Sequence, residues 1–163
     1  PNTVEGAVVA AREHGADYLT IHSAGGPAMM EAAVAAAGES LDLLAVTLLT
    51  HLDRETLATL DMPGDGTRRV KRWAALANRV GCAGVVCSPL ELADLRPDNP
   101  RPFFLVTPGI RMSTGESHDQ RRVATPTAAL EAGADLLVVG RPVTQAADPE
   151  RALEALAREM AGF

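Results

Sequence analysis

The chain has 163 residues, enough for one domain with its own core, and 47% of them are hydrophobic although only 3% are aromatic. Ala, Val and Leu must therefore build most of the core. A formal net charge of −6 argues against a broad nucleic-acid-binding surface. The sequence contains no signal peptide and no apolar run of membrane-spanning length, so we expect a soluble, cytoplasmic protein.

Strands and helices are predicted to alternate along the whole chain. The first element is a helix in which Asn2 caps the first turn and Glu5 completes a capping box. Five apolar runs predict strands, at residues 16–26, 41–50, 81–88, 103–110 and 134–140. Start signals after these strands predict helices that open at Pro27, Asp53, Thr67, Ser88, Thr125 and Asp148.

Each predicted strand is a continuous apolar run, which indicates burial on both faces in a parallel sheet with helices outside. A Rossmann-like sheet is one possibility, but no G-x-G-x-x-G follows any strand. The alternative is a (β/α)₈ TIM barrel, which typically needs about 250 residues. Five βα units in 163 residues have about the same length per unit as eight units in a whole barrel, so the sequence fits a barrel that lacks three strands. Since the sequence begins without Met or a preceding strand, we expect residues 1–163 to be a single-domain fragment of such a barrel.

Several polar residues and cysteines give no functional signal. Cys82 and Cys87 are predicted on opposite faces of one strand and are not expected to pair. His22 ends a predicted strand and is interpreted as a packing or hydrogen-bonding residue. The arginine- and lysine-rich run 68–72 is interpreted as the solvated face of a helix. We find no metal-ligand spacing, carboxylate pair or Ser/His/Asp arrangement.

The carboxyl ends of the strands are where a barrel places its working residues. Gly140 and Arg141 end the last strand: glycine lets a backbone N–H approach an anion, and arginine offers a bidentate fork to phosphate. Pro142 is suited to open a short extra helix there. Asp17 and Asp135 precede their strands and are assigned to stability. The alternative for Arg141 is a surface arginine paired with a carboxylate.

The segment from Arg111 to Gln120 follows the fourth strand and is rich in hydroxyl side chains and glycine. Such a segment can close over a ligand as a lid. The alternative interpretation is an ordinary solvated loop.

Three motifs carry a resemblance to a known family. They are LVTPGIR at 105–111, Gln120 nine residues after its arginine, and LVVGRPVTQAADP at 137–149. PNTV, IHSAGG, VTLLT and GVVCS precede them in the expected order. Over essentially its whole length the sequence resembles the orotidine 5′-phosphate decarboxylase family, which implies that it holds strands 4–8 of a TIM barrel.

The resemblance implies a carboxy-lyase that converts orotidine 5′-monophosphate to uridine 5′-monophosphate and CO₂ in pyrimidine biosynthesis, without a metal or organic cofactor. It implies that Gly140 and Arg141 bind the phosphate and that Gln120 bridges from phosphate to pyrimidine. Arg111 then contacts the ligand from the base of the lid, and Thr50 lies near the pyrimidine ring.

The resemblance also implies a homodimer in which Thr3 reaches into the partner's site. The family's catalytic Asp-Lys-x-x-Asp array would lie immediately before Pro1, so we assign no catalytic residue to this sequence. The only lysine, Lys71, falls within a predicted helix and is no substitute. Two alternatives remain: another phosphate-binding barrel lyase, acting as a sugar-phosphate decarboxylase or aldolase, and a catalytically silent nucleotide-binding module.

Overall fold

The computed structural model describes residues 1–112 and 124–161. Within them, five strands form one parallel sheet in the order β1-β2-β3-β4-β5. The α/β class and the parallel pairing expected from the sequence are therefore confirmed. The strands are β1 Tyr18–His22, β2 Asp42–Val46, β3 Gly84–Val86, β4 Phe104–Thr107 and β5 Leu136–Leu137.

Helices connect consecutive strands, as parallel pairing requires. The four of more than six residues are α1 Asn2–Glu13, α2 Pro27–Ala37, α4 Gly66–Val80 and α8 Pro149–Met160. Shorter α-helices are α3 Arg54–Thr59, α5 Leu92–Leu95, α6 Pro126–Glu131 and α7 Arg141–Thr144. Single 3₁₀ turns occupy Ser23–Gly25, Pro89–Glu91 and Arg96–Asp98. No helix in the described part of the chain is long and apolar enough to cross a membrane.

Local capping chemistry places most helix starts where the sequence predicts them. Side-chain oxygens of Asp53, Thr125 and Asp148 accept backbone N–H groups from the first turns of α3, α6 and α8, at 2.8, 3.2 and 3.0 Å. The prediction for Asn2 is wrong. Asn2 is already the first helical residue of α1, Pro1 occupies the cap position, and no side chain caps this end.

Burial divides the sheet into a centre and two edges. The central strands β2, β3 and β4 are mostly buried, with Leu43, Ala45, Val85 and Leu105 at the middle of the core. The edge strands depart from the prediction of burial on both faces: β1 exposes alternate residues, and both residues of β5 are half-buried. An edge strand has a partner on one side only, so its side chains have fewer neighbours to cover them.

Gly84 sets the close approach of β3 to β4. A Cβ atom at Gly84 would lie 2.4 Å from the backbone oxygen of Phe104 and 2.6 Å from its Cβ. The two strands therefore pair in this register only because residue 84 has no side chain.

Candidate active site at the carboxyl edge of the sheet

The carboxyl ends of all five strands meet at one edge because the strands are parallel. Two buried threonines tie neighbouring strand ends together there. The Thr47 hydroxyl donates to the Val86 carbonyl at 2.8 Å, and the Thr107 hydroxyl donates to the Cys87 carbonyl at 2.9 Å. Thr47 thus bonds the end of the following strand and Thr107 the end of the preceding strand, so both hydroxyls tie the carboxyl end of β3 to its neighbours.

Cys87 and Ser88 lie at this edge but are structural. Ser88 and Glu91 form a capping box in which the Ser88 N–H donates to Glu91 Oε2 at 2.8 Å. Burial raises the pKa of the Cys87 thiol to about 12, with the Glu91 carboxylate adding to the rise and Arg96 opposing it. Cys87 is therefore a neutral thiol and not a nucleophile. Burial also raises the pKa of Cys82 to about 11, and both cysteines are free, as the sequence predicts.

Gly140 and Arg141 stand where β5 turns into α7. The helix begins at Arg141 with Pro142 as its second residue, so the predicted short extra helix is present. The Val143 and Thr144 N–H groups donate to the Gly140 carbonyl at 2.9 and 3.0 Å. By contrast, the Gly140 and Arg141 N–H groups donate to no acceptor in the described part of the chain. Two adjacent backbone donors are thus available at the end of β5.

The Arg141 guanidinium is exposed and has no carboxylate within 4.0 Å among residues 1–112 and 124–161. This geometry disfavours the alternative of a surface arginine held in an ion pair. A Cβ atom at Gly140 would meet nothing within 4 Å, so the space beside the backbone is open. Within the described residues, the space beside Gly140 is therefore open to an anion.

Arg111 follows β4, the strand adjacent to β5. Its backbone N–H donates to the Ala124 carbonyl at 3.0 Å beside an Ile110–Ala124 bridge, and its side chain is half-buried. The guanidinium donates to the Ile110 carbonyl at 3.1 Å. The predicted lid, Arg111 to Gln120, therefore begins beside Ala124 at the edge that carries Gly140. Gln120 and residues 113–123 lie outside the described residues.

Three other residues lie on elements that are further from β5 than Arg111 is: Thr50, Thr3 and His22. Thr50 is half-buried in the turn after β2, three strands from β5. Thr3 is exposed in the first turn of α1, and that helix leads into the start of β1, which puts Thr3 on the side of the carboxyl edge. The interpretation of His22 as a packing residue is wrong: its side chain is exposed at the end of β1.

Asp135 is bound at the opposite, amino edge of the sheet. Its carboxylate accepts from Arg96, from Arg101 Nε at 2.7 Å and from the Leu105 N–H at 2.7 Å. These contacts join β4, β5 and the segment after α5, and none of them faces the carboxyl edge. This geometry agrees with the assignment of Asp135 to stability.

Comparison with known proteins identifies the family. The model of the orotidine 5′-phosphate decarboxylase / HUMPS family matches residues 1–156. The chain belongs to this family. The family resemblance drawn from LVTPGIR, Gln120 and LVVGRPVTQAADP is thereby confirmed.

Individual relatives agree with the family assignment. Proteins named orotidine 5′-phosphate decarboxylase from Anaeromyxobacter sp. (strain K) and Coxiella burnetii (strain RSA 331 / Henzerling II) are 48% and 47% identical to this chain. The alignments cover 96% and 98% of this chain and 69% and 70% of those proteins. The crystal structure of orotidine 5′-phosphate decarboxylase from Lactobacillus acidophilus superposes with a TM-score of 0.84 at 34% identity, covering 98% of this chain and 70% of that one.

One feature of this edge was missed by sequence reasoning. Thr47 and Thr107 each bond the end of a neighbouring strand, and the sequence analysis did not anticipate these bonds. The available signal was a threonine at the end of each of two apolar runs, which lie on either side of β3 in the sheet. Recognising the bonds requires the strand order, which the sequence supplies only through the fold.

Proposed function

We propose that this protein decarboxylates orotidine 5′-monophosphate to uridine 5′-monophosphate and CO₂ in pyrimidine biosynthesis, with no metal or organic cofactor. Residues 1–163 are proposed to form a single unit that contributes strands 4–8 of a TIM barrel and binds the substrate's phosphate. Family membership supports the reaction. The observation that carries the phosphate assignment is the exposed Arg141 guanidinium without a carboxylate partner in the described part of the chain, next to two free backbone donors.

A phosphate dianion matches what Gly140 and Arg141 present. The guanidinium fork binds two phosphate oxygens, and the N–H groups at the start of α7 supply further donors. Hydrogen bonds to a charged acceptor are shorter and stronger than neutral ones. Gly140 contributes by lacking a side chain, because a Cβ atom would project into the open space beside these donors.

The other substrate contacts are proposed from position and resemblance. Arg111 lies at the base of the lid, on the strand adjacent to Arg141, and Gln120 in the lid bridges phosphate and pyrimidine. Thr50, after β2, supplies a hydroxyl near the pyrimidine ring. Closure of the lid over the phosphate would exclude water from the reacting end of the substrate.

Decarboxylation leaves a carbanion at C6 of the pyrimidine, which a fixed ammonium group must stabilise and then protonate. Lys71 is unsuited to this role: it lies on α4 with its ammonium 3.9 Å from carboxylate oxygens of both Asp94 and Asp98. We therefore assign to this sequence the binding half of the mechanism. Contacts to the remote phosphate supply energy that organises the reacting end, and they raise kcat/KM without touching C6.

The experiment compares Arg141→Ala with Arg151→Ala in the full-length gene product. Arg151 is a matched control because it is an exposed arginine on α8, beyond the proposed site. We expect Arg141→Ala to lower kcat/KM for orotidine 5′-monophosphate about a hundredfold or more, as loss of a bidentate charged contact implies. Arg151→Ala should leave kcat/KM unchanged.

Orotidine, which lacks the phosphate, provides the second arm. Its turnover should be slow and equally slow with or without Arg141, since the contact that the substitution removes is absent. An unchanged kcat/KM for the phosphorylated substrate in Arg141→Ala, or an equal loss on both substrates, would refute the phosphate assignment.

The same assay separates the alternatives. Turnover of orotidine 5′-monophosphate by the full-length gene product would exclude a sugar-phosphate lyase that shares only the phosphate site. Binding of uridine 5′-monophosphate without any turnover would identify a nucleotide-binding module instead.

We also propose a homodimer in which Thr3 reaches the partner's site. The exposure of Thr3 at the start of α1 supports this. Light scattering should give twice the mass of one chain, and Thr3→Ala should raise KM more than it lowers kcat. A monomer that turns over at the full rate would contradict the proposal.

A further inference from the structure

Four arginines and the only tryptophan of the sequence surround one cleft on the outward face of α4. The cleft has a volume of about 690 Å³, and its walls include Arg68, Arg69, Arg72, Arg79 and Trp73. The sequence interpretation treated the basic run 68–72 as one solvated face. The structure divides it: the arginines face the cleft, whereas Lys71 points towards Asp94 and Asp98.

The cleft is strongly positive in an otherwise acidic protein. Within the described ranges, Arg68, Arg72 and Arg79 have no carboxylate within 4.0 Å. Asp65 also lines the cleft, but its Oδ1 accepts the Thr67 N–H at 2.9 Å as the cap of α4. Four guanidinium groups therefore face one carboxylate, although the whole chain has a net charge of −6. This segregation favours a ligand with several negative charges.

Arg69 is a fixed part of the cleft wall. Its Nη2 donates to the Pro63 carbonyl at 3.0 Å, which fixes the guanidinium against the loop before α4. Its Nη1 is buried and has no hydrogen-bond partner among the described residues. Since solvent does not reach Nη1, it is not available to an anion in the cleft, and the accessible guanidinium groups are those of Arg68, Arg72 and Arg79.

Trp73 adds an aromatic surface to this positive cleft. It is half-buried and packs partly against the core, so its ring is held in place while it also lines the cleft. An indole face of this kind stacks on nucleobases, and Arg side chains bind phosphate oxygens. The cleft volume lies within the range of small-molecule sites.

We infer that this cleft binds a nucleoside triphosphate, with the phosphates on Arg68 and Arg72 and the base on Trp73. The cleft has no lining residue in common with the proposed substrate site, whose residues are Thr50, Arg111, Gln120, Gly140 and Arg141. The inference does not depend on the proposed decarboxylase reaction.

Fluorescence tests the inference directly, because Trp73 is the only tryptophan in residues 1–163. ATP is titrated into the full-length gene product with and without saturating uridine 5′-monophosphate, which fills the substrate site, and Trp73→Phe identifies the part of the signal that comes from Trp73. Calorimetry under the same conditions serves as the second readout. We expect saturable binding of ATP and no binding of adenosine. Tripolyphosphate should bind at least about tenfold more weakly than ATP, because it cannot stack on Trp73.

Variants at exposed positions assign the binding to the cleft. The double variant Arg68→Gln, Arg72→Gln should weaken ATP binding about a hundredfold, and Arg79→Gln alone should weaken it less. Arg151→Gln, on α8, should bind ATP as the parent does. Unchanged thermal melting of the variants shows that the fold is retained.

Three results would overturn the inference. They are the absence of saturable ATP binding, equal loss in the Arg151→Gln control, and full competition of ATP by uridine 5′-monophosphate. Tripolyphosphate binding as tightly as ATP would refute the role given to Trp73.

Discussion

Replacing Asp135 with alanine should strongly destabilise the fold, because one buried carboxylate serves three donors. The side chain of Asp135 is only 9% exposed, and that of its partner Arg96 is 18% exposed. The Asp135 carboxylate also accepts the Leu105 N–H at 2.7 Å, a bond that links β5 to the second residue of β4. Its loss would affect the ion pair and the sheet together.

The magnitude follows from the exposure of each partner. Leaving the Leu105 N–H without an acceptor costs about 1–3 kcal/mol. Breaking a fully buried ion pair costs about 3–5 kcal/mol. The Arg96 contribution is smaller, since Arg96 keeps its bonds to the carbonyls of Gly133 and Asn99. Arg101 is 66% exposed and adds at most about 1 kcal/mol. We expect Asp135→Ala to lower the free energy of unfolding by about 3–5 kcal/mol.

Urea unfolding followed by far-ultraviolet circular dichroism measures this change. Arg101→Ala should cost less than about 1 kcal/mol. Asp17→Ala is the matched control, because Asp17 holds the equivalent position before β1 but is exposed and has no ion pair among the described residues. It should change stability by no more than about 0.5 kcal/mol. If Asp135→Ala were no more destabilising than these two variants, the reasoning from burial and shared donors would be refuted.

Two glycines and one cysteine give further predictions. Gly84→Ala should lower stability by about 1–3 kcal/mol or more in thermal melts, because the added Cβ would overlap Phe104 of β4. Gly6→Ala should raise it by about 0.5–1 kcal/mol, since Gly6 lies within α1 with nothing within 4 Å of the new atom; a lower melting temperature would contradict this. Cys87 should resist thiol reagents at pH 8 until denaturant is added, because burial raises its pKa to about 12; native labelling at the unfolded rate would exclude that burial. Its raised pKa also means that the Cys87 contribution to stability is complete below about pH 9, where the unfolded thiol is still protonated, and is lost as the pH rises towards 12.

Elements governed by neighbouring residues were predicted well from the sequence. Caps at Asp53, Thr125 and Asp148 each involve a side chain and an N–H three residues later, so a short stretch of sequence holds the whole interaction. The short helix at Pro142 was predicted for the same reason, because proline fixes its own φ angle. Asn2 failed because Pro1 takes the cap position, one residue earlier than the capping-box pattern suggests.

Strand lengths were overestimated because apolar runs continue past the paired residues. The run 81–88 predicted one strand through Cys82 and Cys87, whereas β3 spans only Gly84–Val86. Both flanking residues are buried, but the Cys82 N–H donates to the Ala77 carbonyl rather than to a strand, and Cys87 makes a single backbone bond to β4, from its N–H to the Val106 carbonyl at 2.9 Å. An apolar run indicates that its residues are buried, but it does not indicate which of their backbone groups form the hydrogen bonds of a strand.

The sequence alone predicted the alternation of strands and helices and the parallel sheet, and it led to the proposal that Gly140 and Arg141 bind a phosphate. Only the tertiary structure decided that Asp135 is a shared buried acceptor while Asp17 is not, although each lies between an alanine and a strand. Only the tertiary structure showed that Lys71 points towards Asp94 and Asp98, whereas the arginines of α4 face the cleft. The physical reason is that periodicity and capping depend on adjacent residues, whereas burial and charge pairing depend on neighbours that are distant along the chain.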